Sequence, residues 1–163
     1  MEAFGVGRVR EYGAEVAIVL GSGLSSLVKN PPFEQTIPYQ EITDLPRSSV
    51  KGHVGRFVFG GLGKSRVIFA QGRVHLYEGY SAREITAGVR FLARAGIKRL
   101  ILTNAAGSVN PDFSLGSGMM LPVQLNLSGA SPLAAASHFI AMPAPFSPPP
   151  PPRFAPPAHR QTP

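Results

Sequence analysis

Apolar residues gather in short blocks along the first two thirds of the chain, and the spacing within each block differs. EVAIVL (15–20) is a continuous β-branched run stopped by GSG, which predicts a buried strand ending in a tight loop. RFVFGGLGKSRVIFAQG (56–72) holds two such runs around a glycine-rich break and predicts a hairpin. At SAREITAGVRFLARAGI (81–97) the period changes to that of a helix. Ile85, Val89, Leu92 and Ala93 fall near one face and Arg83, Arg90 and Arg94 largely on another, with Ser81 as N-cap and Gly96 as the stop. KRLILTNAAGS (98–108) then predicts a second buried strand entering a loop of small residues. The order is strand, loop, hairpin, helix, strand. Parallel pairing of the first and last strands follows, and with it an α/β fold.

The remainder of the chain reads differently. Residues 143–163 are nearly half proline, which removes backbone donors and fixes φ, so a polyproline II or disordered tail is expected there. The expected division is a folded domain over 1–133 and a Pro/Ala-rich tail over 134–163. A tail of this kind could serve an adaptor that binds SH3 or WW domains, but such a role needs a charge-flanked P-x-x-P.

Composition narrows the function classes. The 163 residues contain no cysteine, which excludes disulfides, thiolate metal sites and cysteine nucleophiles. No run of 18 apolar residues predicts a membrane span, and the acidic N-terminal stretch has no apolar leader core, so a cytoplasmic location is expected. The net charge of +7 comes from 16 Lys and Arg against nine acids, and all nine acids lie at or before Asp112. Its Lys and Arg residues are scattered, mostly singly, without the cluster or stripe that nucleic acid would require. Isolated Arg and His suit small anions better.

Three predicted strand ends terminate in polar or glycine-rich sequence, and ligands of open α/β sheets sit at such ends. In GSGL, Gly21 and Gly23 permit positive φ or close backbone approach, and Ser22 offers a hydroxyl and an amide. The same glycines also suit a plain turn, and the segment is neither a P-loop nor a dinucleotide fingerprint. In NAAG (104–107) small side chains leave the backbone open to a ligand or to close packing. In QGRVHLYEGY (71–80), Arg73 and His75 share one side of an extended segment, and Tyr77 continues it. Glu78 joins them only if the chain turns at Gly79. This set could hold a phosphate and a polyhydroxylated ring, or Arg73 and Glu78 could form a surface ion pair. His53, between glycines in KGHVGR, is either a mobile site residue or solvated surface.

GSGL, KGHVGR, QGRVHLYEGY and TNAAGSVNP, in this order and at these spacings, resemble the trimeric type of purine nucleoside phosphorylase, a family that also includes methylthioadenosine phosphorylases. The resemblance runs from about Val16 to Leu133. It implies a mixed sheet closing toward a barrel, flanked by helices, and a homotrimer. It also implies phosphorolysis of the N-glycosidic bond of purine nucleosides to free base and pentose 1-phosphate, in purine salvage. Orthophosphate is then the co-substrate, with no metal and no organic cofactor. By resemblance Ser22, Arg73, His75 and the Ala105 backbone hold phosphate, Tyr77 meets the ribose, His53 lies in a loop near both, and Glu78 is the carboxylate of the phosphate site. His75, Glu78 and His53 are therefore the residues expected to serve catalysis.

The chain also departs from this family. Members are much longer, and the part without a counterpart here would carry the residues that recognise the purine. Where members read Gly-Asp, this chain has Gly116-Ser117, and Val123-Gln124 stand in place of Asp-His. An inactive remnant keeping only part of the phosphate and ribose site is the alternative reading, and little phosphorolysis is expected of the polypeptide as it stands.

Overall fold

A computed structural model describes residues 5–28, 33, 35–47, 54–121 and 124–133. Internal contacts divide the chain into Met1–Gly107 and Ser108–Pro163. All of the regular structure described below belongs to the first unit. The described residues of the second, 108–121 and 124–133, form turns and bends without helix or strand. The proline-rich stretch, Pro122, Val123 and His53 lie outside the described residues.

Five strands form one mixed sheet. They are β1 (Val16–Leu20), β2 (Gln35–Pro38), β3 (Arg56–Leu62), β4 (Ser65–Gln71) and β5 (Arg99–Leu102), in the order β2-β3-β4-β1-β5. β1 pairs parallel with both β4 and β5, so the expected parallel pairing of first and last strands is present. β3 and β4 form the predicted antiparallel hairpin, with Leu62 opposite Ser65 across a two-residue loop. Gly63, at φ 59°, supplies the positive φ that such short loops need. The sheet does not close among the described strands; β2 and β5 are its edges.

Alternation along the strands builds two apolar layers. Ala17, Val19, Phe57, Phe59, Ile68 and Ala70 face one core, which also takes in the helices. Leu20, Val58, Val67 and Phe69 face the other, with Val28. The first layer is covered by α1 (Val6–Tyr12) and α3 (Ala87–Arg94). Helix α1 was not legible as a helix in the sequence. It has seven residues and two buried ones, Val6 and Val9, and is bounded by glycines at φ 90° and 73°.

The predicted single helix over 81–97 is two. α2 (Ala82–Ile85) ends at Thr86, whose φ of −95° and ψ of 4° interrupt the helix before α3 begins. The Thr86 hydroxyl donates to the Ala82 carbonyl at 2.8 Å, and Arg90 Nη1 donates to Thr86 Oγ1 at 2.6 Å. A threonine that bonds back to the preceding turn bends a helix, and here it divides one. The buried face also differs from the predicted one. It comprises Ala87, Phe91, Leu92 and Ala95, whereas Val89 and Ala93 are exposed. Phe91 decides this by stacking on Phe57 of β3, with ring centroids 5.0 Å apart.

Both ends of this helical region are as expected. Ser81 Oγ accepts from Glu84 N, and the Glu84 carboxylate accepts from Ser81 N at 2.8 Å, a reciprocal cap. These bonds to Ser81 hold the Glu84 carboxyl below its ordinary value. At the other end Gly96 (φ 93°) donates to Ala93 O and Ile97 to Leu92 O, the Schellman arrangement.

The expectation of a buried strand at 98–102 is half right. β5 is a strand, but Ile101 and Leu102 are half exposed. An apolar run sets strand propensity, but burial requires layers on both faces. β5 lies at the sheet edge, bonded within the described sheet to β1 alone.

Candidate functional site

The carboxyl ends of β4, β1 and β5 lie side by side because the three strands are parallel neighbours with Leu20 opposite Gln71 and Val19 opposite Leu102. This register brings the three chemistry-bearing segments to one edge of the sheet. The Gly21–Gly23 loop follows β1 in the middle. Gly72 and Arg73 follow β4 on one side, and Thr103, Asn104 and Ala105 follow β5 on the other.

The two glycines of GSG have different tasks. Gly23 has φ 81°, a left-handed conformation costly for other residues. Gly21 is needed for space: a Cβ there would lie 2.5 Å from the Thr103 carbonyl oxygen and 2.7 Å from Asn104 Cα. Its amide donates to Thr103 Oγ1 at 2.9 Å, and that hydroxyl donates to Val19 O at 2.8 Å. The 3₁₀ turn that follows, Leu24–Val28, is tied to β4 by Gln71, whose Nε2 donates to Ser25 O at 3.3 Å. Gln71 is buried and also accepts from Arg56 Nε at 2.7 Å. Ser22 itself is exposed on the loop thus anchored.

Arg73 reaches across the edge. Its Nη1 donates to the Thr103 carbonyl at 2.9 Å, bridging the segments after β4 and β5. Beyond it the chain turns as the position of Gly79 predicted. Leu76–Glu78 is a 3₁₀ turn and Gly79 has φ 87°. The turn brings Glu78 back, so that its Oε1 accepts from the His75 amide at 2.8 Å. The His75 and Tyr77 rings stack at 4.8 Å, close to parallel, with Tyr77 well exposed. Imidazole, phenol and carboxylate thus occupy one turn, beside the arginine. Tyr39 supports this segment from beneath, donating its hydroxyl to Gly72 O at 3.0 Å, and burial pushes its phenol pKa up.

Sequence reasoning named candidate residues at the strand ends but missed those that anchor their segments. Thr103, Gln71 and Tyr39 act through the strand ends. The threonine opening TNAAG and the glutamine opening QGRVHLYEGY were visible, but their partners are distant in the chain. A separate concavity of about 240 Å³ lies between α2, α3 and residues 42–45, lined by Ile42, Leu45, Arg83, Arg90 and Phe91 among others. None of the predicted site residues lines it. The strand-end cluster is the better candidate, because Glu84, one of the cavity's two carboxylates, is already engaged as a helix cap.

The fold is a mixed α/β sheet whose parallel strand ends gather a glycine loop, a guanidinium and a small-residue loop. The chain belongs to the phosphorylase superfamily, whose pattern matches residues 15–161. It is 43% identical over 119 residues to a purine nucleoside phosphorylase of Mus musculus, covering 73% of this chain and 41% of that one. To purine nucleoside phosphorylase 1 of Geobacillus stearothermophilus it is 41% identical over 119 residues, covering 73% of this chain and 43% of that one. Among solved structures, isoform 2 of the Schistosoma mansoni purine nucleoside phosphorylase, in complex with cytosine and ribose-1-phosphate, superposes with a TM-score of 0.54 at 35% identity. That match covers 66% of this chain and 39% of the other. The chain spans about two-fifths of the length of these curated relatives.

Proposed function

We propose that this chain carries the phosphate- and ribose-binding portion of a purine nucleoside phosphorylase. The reaction is attack by orthophosphate on the anomeric carbon of a purine ribo- or deoxyribonucleoside, with release of the base and formation of pentose 1-phosphate. The observation that carries the proposal is the Arg73 bridge to Thr103, which joins the segments after β4 and β5 across the Gly21 loop. The naming of the relatives supports the substrate class, and the Schistosoma mansoni complex supports the sugar phosphate.

In this reading Arg73, His75, Ser22 and the Ala105 amide bind the phosphate. Tyr77 packs on the ribose, and Glu78 orients the turn that presents His75. His53 is assigned to this site by the family resemblance alone. The glycosidic bond breaks with oxocarbenium character, so a phosphate dianion held beneath the sugar both stabilises the cation and captures it. Position and electrostatics then matter more than an activated nucleophile, which fits a site built of hydrogen-bond donors. Assembly as a trimer in the cytoplasm is part of the same proposal.

The test uses the full chain in two assays. Inorganic phosphate and ribose 1-phosphate are titrated by calorimetry, and hypoxanthine release from inosine is followed at millimolar phosphate. Millimolar or tighter binding of both anions, lost in Arg73→Gln, is the expected result. Absence of binding by the unaltered chain would overturn the proposal. Turnover by this polypeptide alone is expected to be slow, because the chain matches about two-fifths of its relatives' length.

A further inference from the structure

We infer that Thr103 is a positioning residue for the anion site. It sets the Gly21–Ser22 loop and the Arg73 guanidinium relative to each other, and the inference rests on the phosphate-site reading given above. One residue makes four bonds to two other strand ends. Its amide donates to Val19 O at 3.1 Å, and its hydroxyl donates to the same carbonyl at 2.8 Å. The hydroxyl oxygen accepts from Gly21 N at 2.9 Å, and the main-chain carbonyl accepts from Arg73 Nη1 at 2.9 Å.

The proton arrangement is fixed by these partners. With its only hydrogen committed to Val19 O, the hydroxyl must present a lone pair to the Gly21 amide. A valine of the same shape supplies neither function, while a serine supplies both. The bare face of Gly21 completes the device, because any side chain there would collide with the Thr103 carbonyl that Arg73 uses. The loop carrying Ser22 and the guanidinium of Arg73 are thus referenced to the same residue, although Ser22 and Arg73 stand 51 positions apart in the chain.

 

The experiment compares the full chain with Thr103→Val and Thr103→Ser. One readout is hydrogen exchange of the Gly21 amide, and the other is titration with inorganic phosphate. In Thr103→Val, Gly21 exchange is expected to rise about tenfold and phosphate affinity to fall about tenfold, the scale of one lost hydrogen bond. Exchange in β3 and α3 should stay unchanged, and Thr103→Ser should stay within about twofold on both readouts. Unchanged phosphate affinity in a folded Thr103→Val overturns the inference alone. Failure of the unaltered chain to bind phosphate overturns the site reading as well, and a protected Gly21 amide would then mark a purely structural clamp. Should Thr103→Val not fold, the unaltered chain still decides: a Gly21 amide exchanging as an unprotected one overturns the inference.

Discussion

The α-carbon of Gly21 faces the Thr103 carbonyl so closely that a Cβ would stand 2.5 Å from its oxygen. The nearest atoms, Thr103 O, Thr103 C and Asn104 Cα, are all backbone, so no side chain can swing away to make room. Gly21→Ala is therefore expected to push β1 and β5 apart at their carboxyl ends and to cost about 1–3 kcal/mol, as overpacking does. The midpoint of urea unfolding measures this. A midpoint equal to that of the unaltered chain would show that the two strand ends are farther apart than described.

Arg73 donates from Nη1 to the Thr103 carbonyl at 2.9 Å, and the proposed site assigns the same guanidinium to the anion. A lysine at this position is a point charge and cannot do both with fixed geometry. Arg73→Lys is expected to weaken inorganic phosphate binding by about tenfold or more, the worth of a charge-assisted bond. Calorimetric titration checks it, and equal affinity would remove Arg73 from the site.

Phe91 is buried and lies flat against Phe57, and this contact selects the face that α3 presents to the sheet. Phe91→Ala should cost about 3–5 kcal/mol, as deletion of a buried aromatic does. Val89→Ala, on the exposed side, should change little. If the two substitutions destabilise equally in chemical denaturation, the helix face has been assigned wrongly.

The reciprocal cap of Ser81 and Glu84 makes the start of α2 sensitive to acid. The Glu84 carboxyl is held below its ordinary value of 4.5, first by the hydroxyl and then by the amide of Ser81. A carboxyl lowered on folding stabilises the folded state above its unfolded value, and that contribution disappears as pH falls through the folded value. Exchange of the α2 amides should therefore quicken as pH drops below 4.5, relative to α3 and after correction for intrinsic rates. In Ser81→Ala this difference should vanish. A pH-independent ratio in the unaltered chain would contradict the cap.

The sequence by itself determined the strands of β1, β3, β4 and β5, the hairpin, and both ends of the 81–97 region. Each depends on local chemistry: β-branched runs, a glycine at positive φ, a Ser-x-x-Glu cap. It also named Ser22, Arg73, His75, Tyr77 and Glu78, because unusual polar groups at the ends of apolar runs are conspicuous, and Ala105 through the family resemblance. Tertiary structure alone decided the rest. Whether β5 is buried depends on which layers cover it, and its apolar residues are the same either way. The face of α3 was decided by Phe57, a residue on another element. The division at Thr86 was decided by a hydroxyl that bonds backward and by the guanidinium of Arg90. The strand-end clamp needed Gly21, Arg73 and Thr103 to become neighbours through parallel pairing. No pattern along a chain encodes such a contact, because its energy appears only once the sheet register has formed.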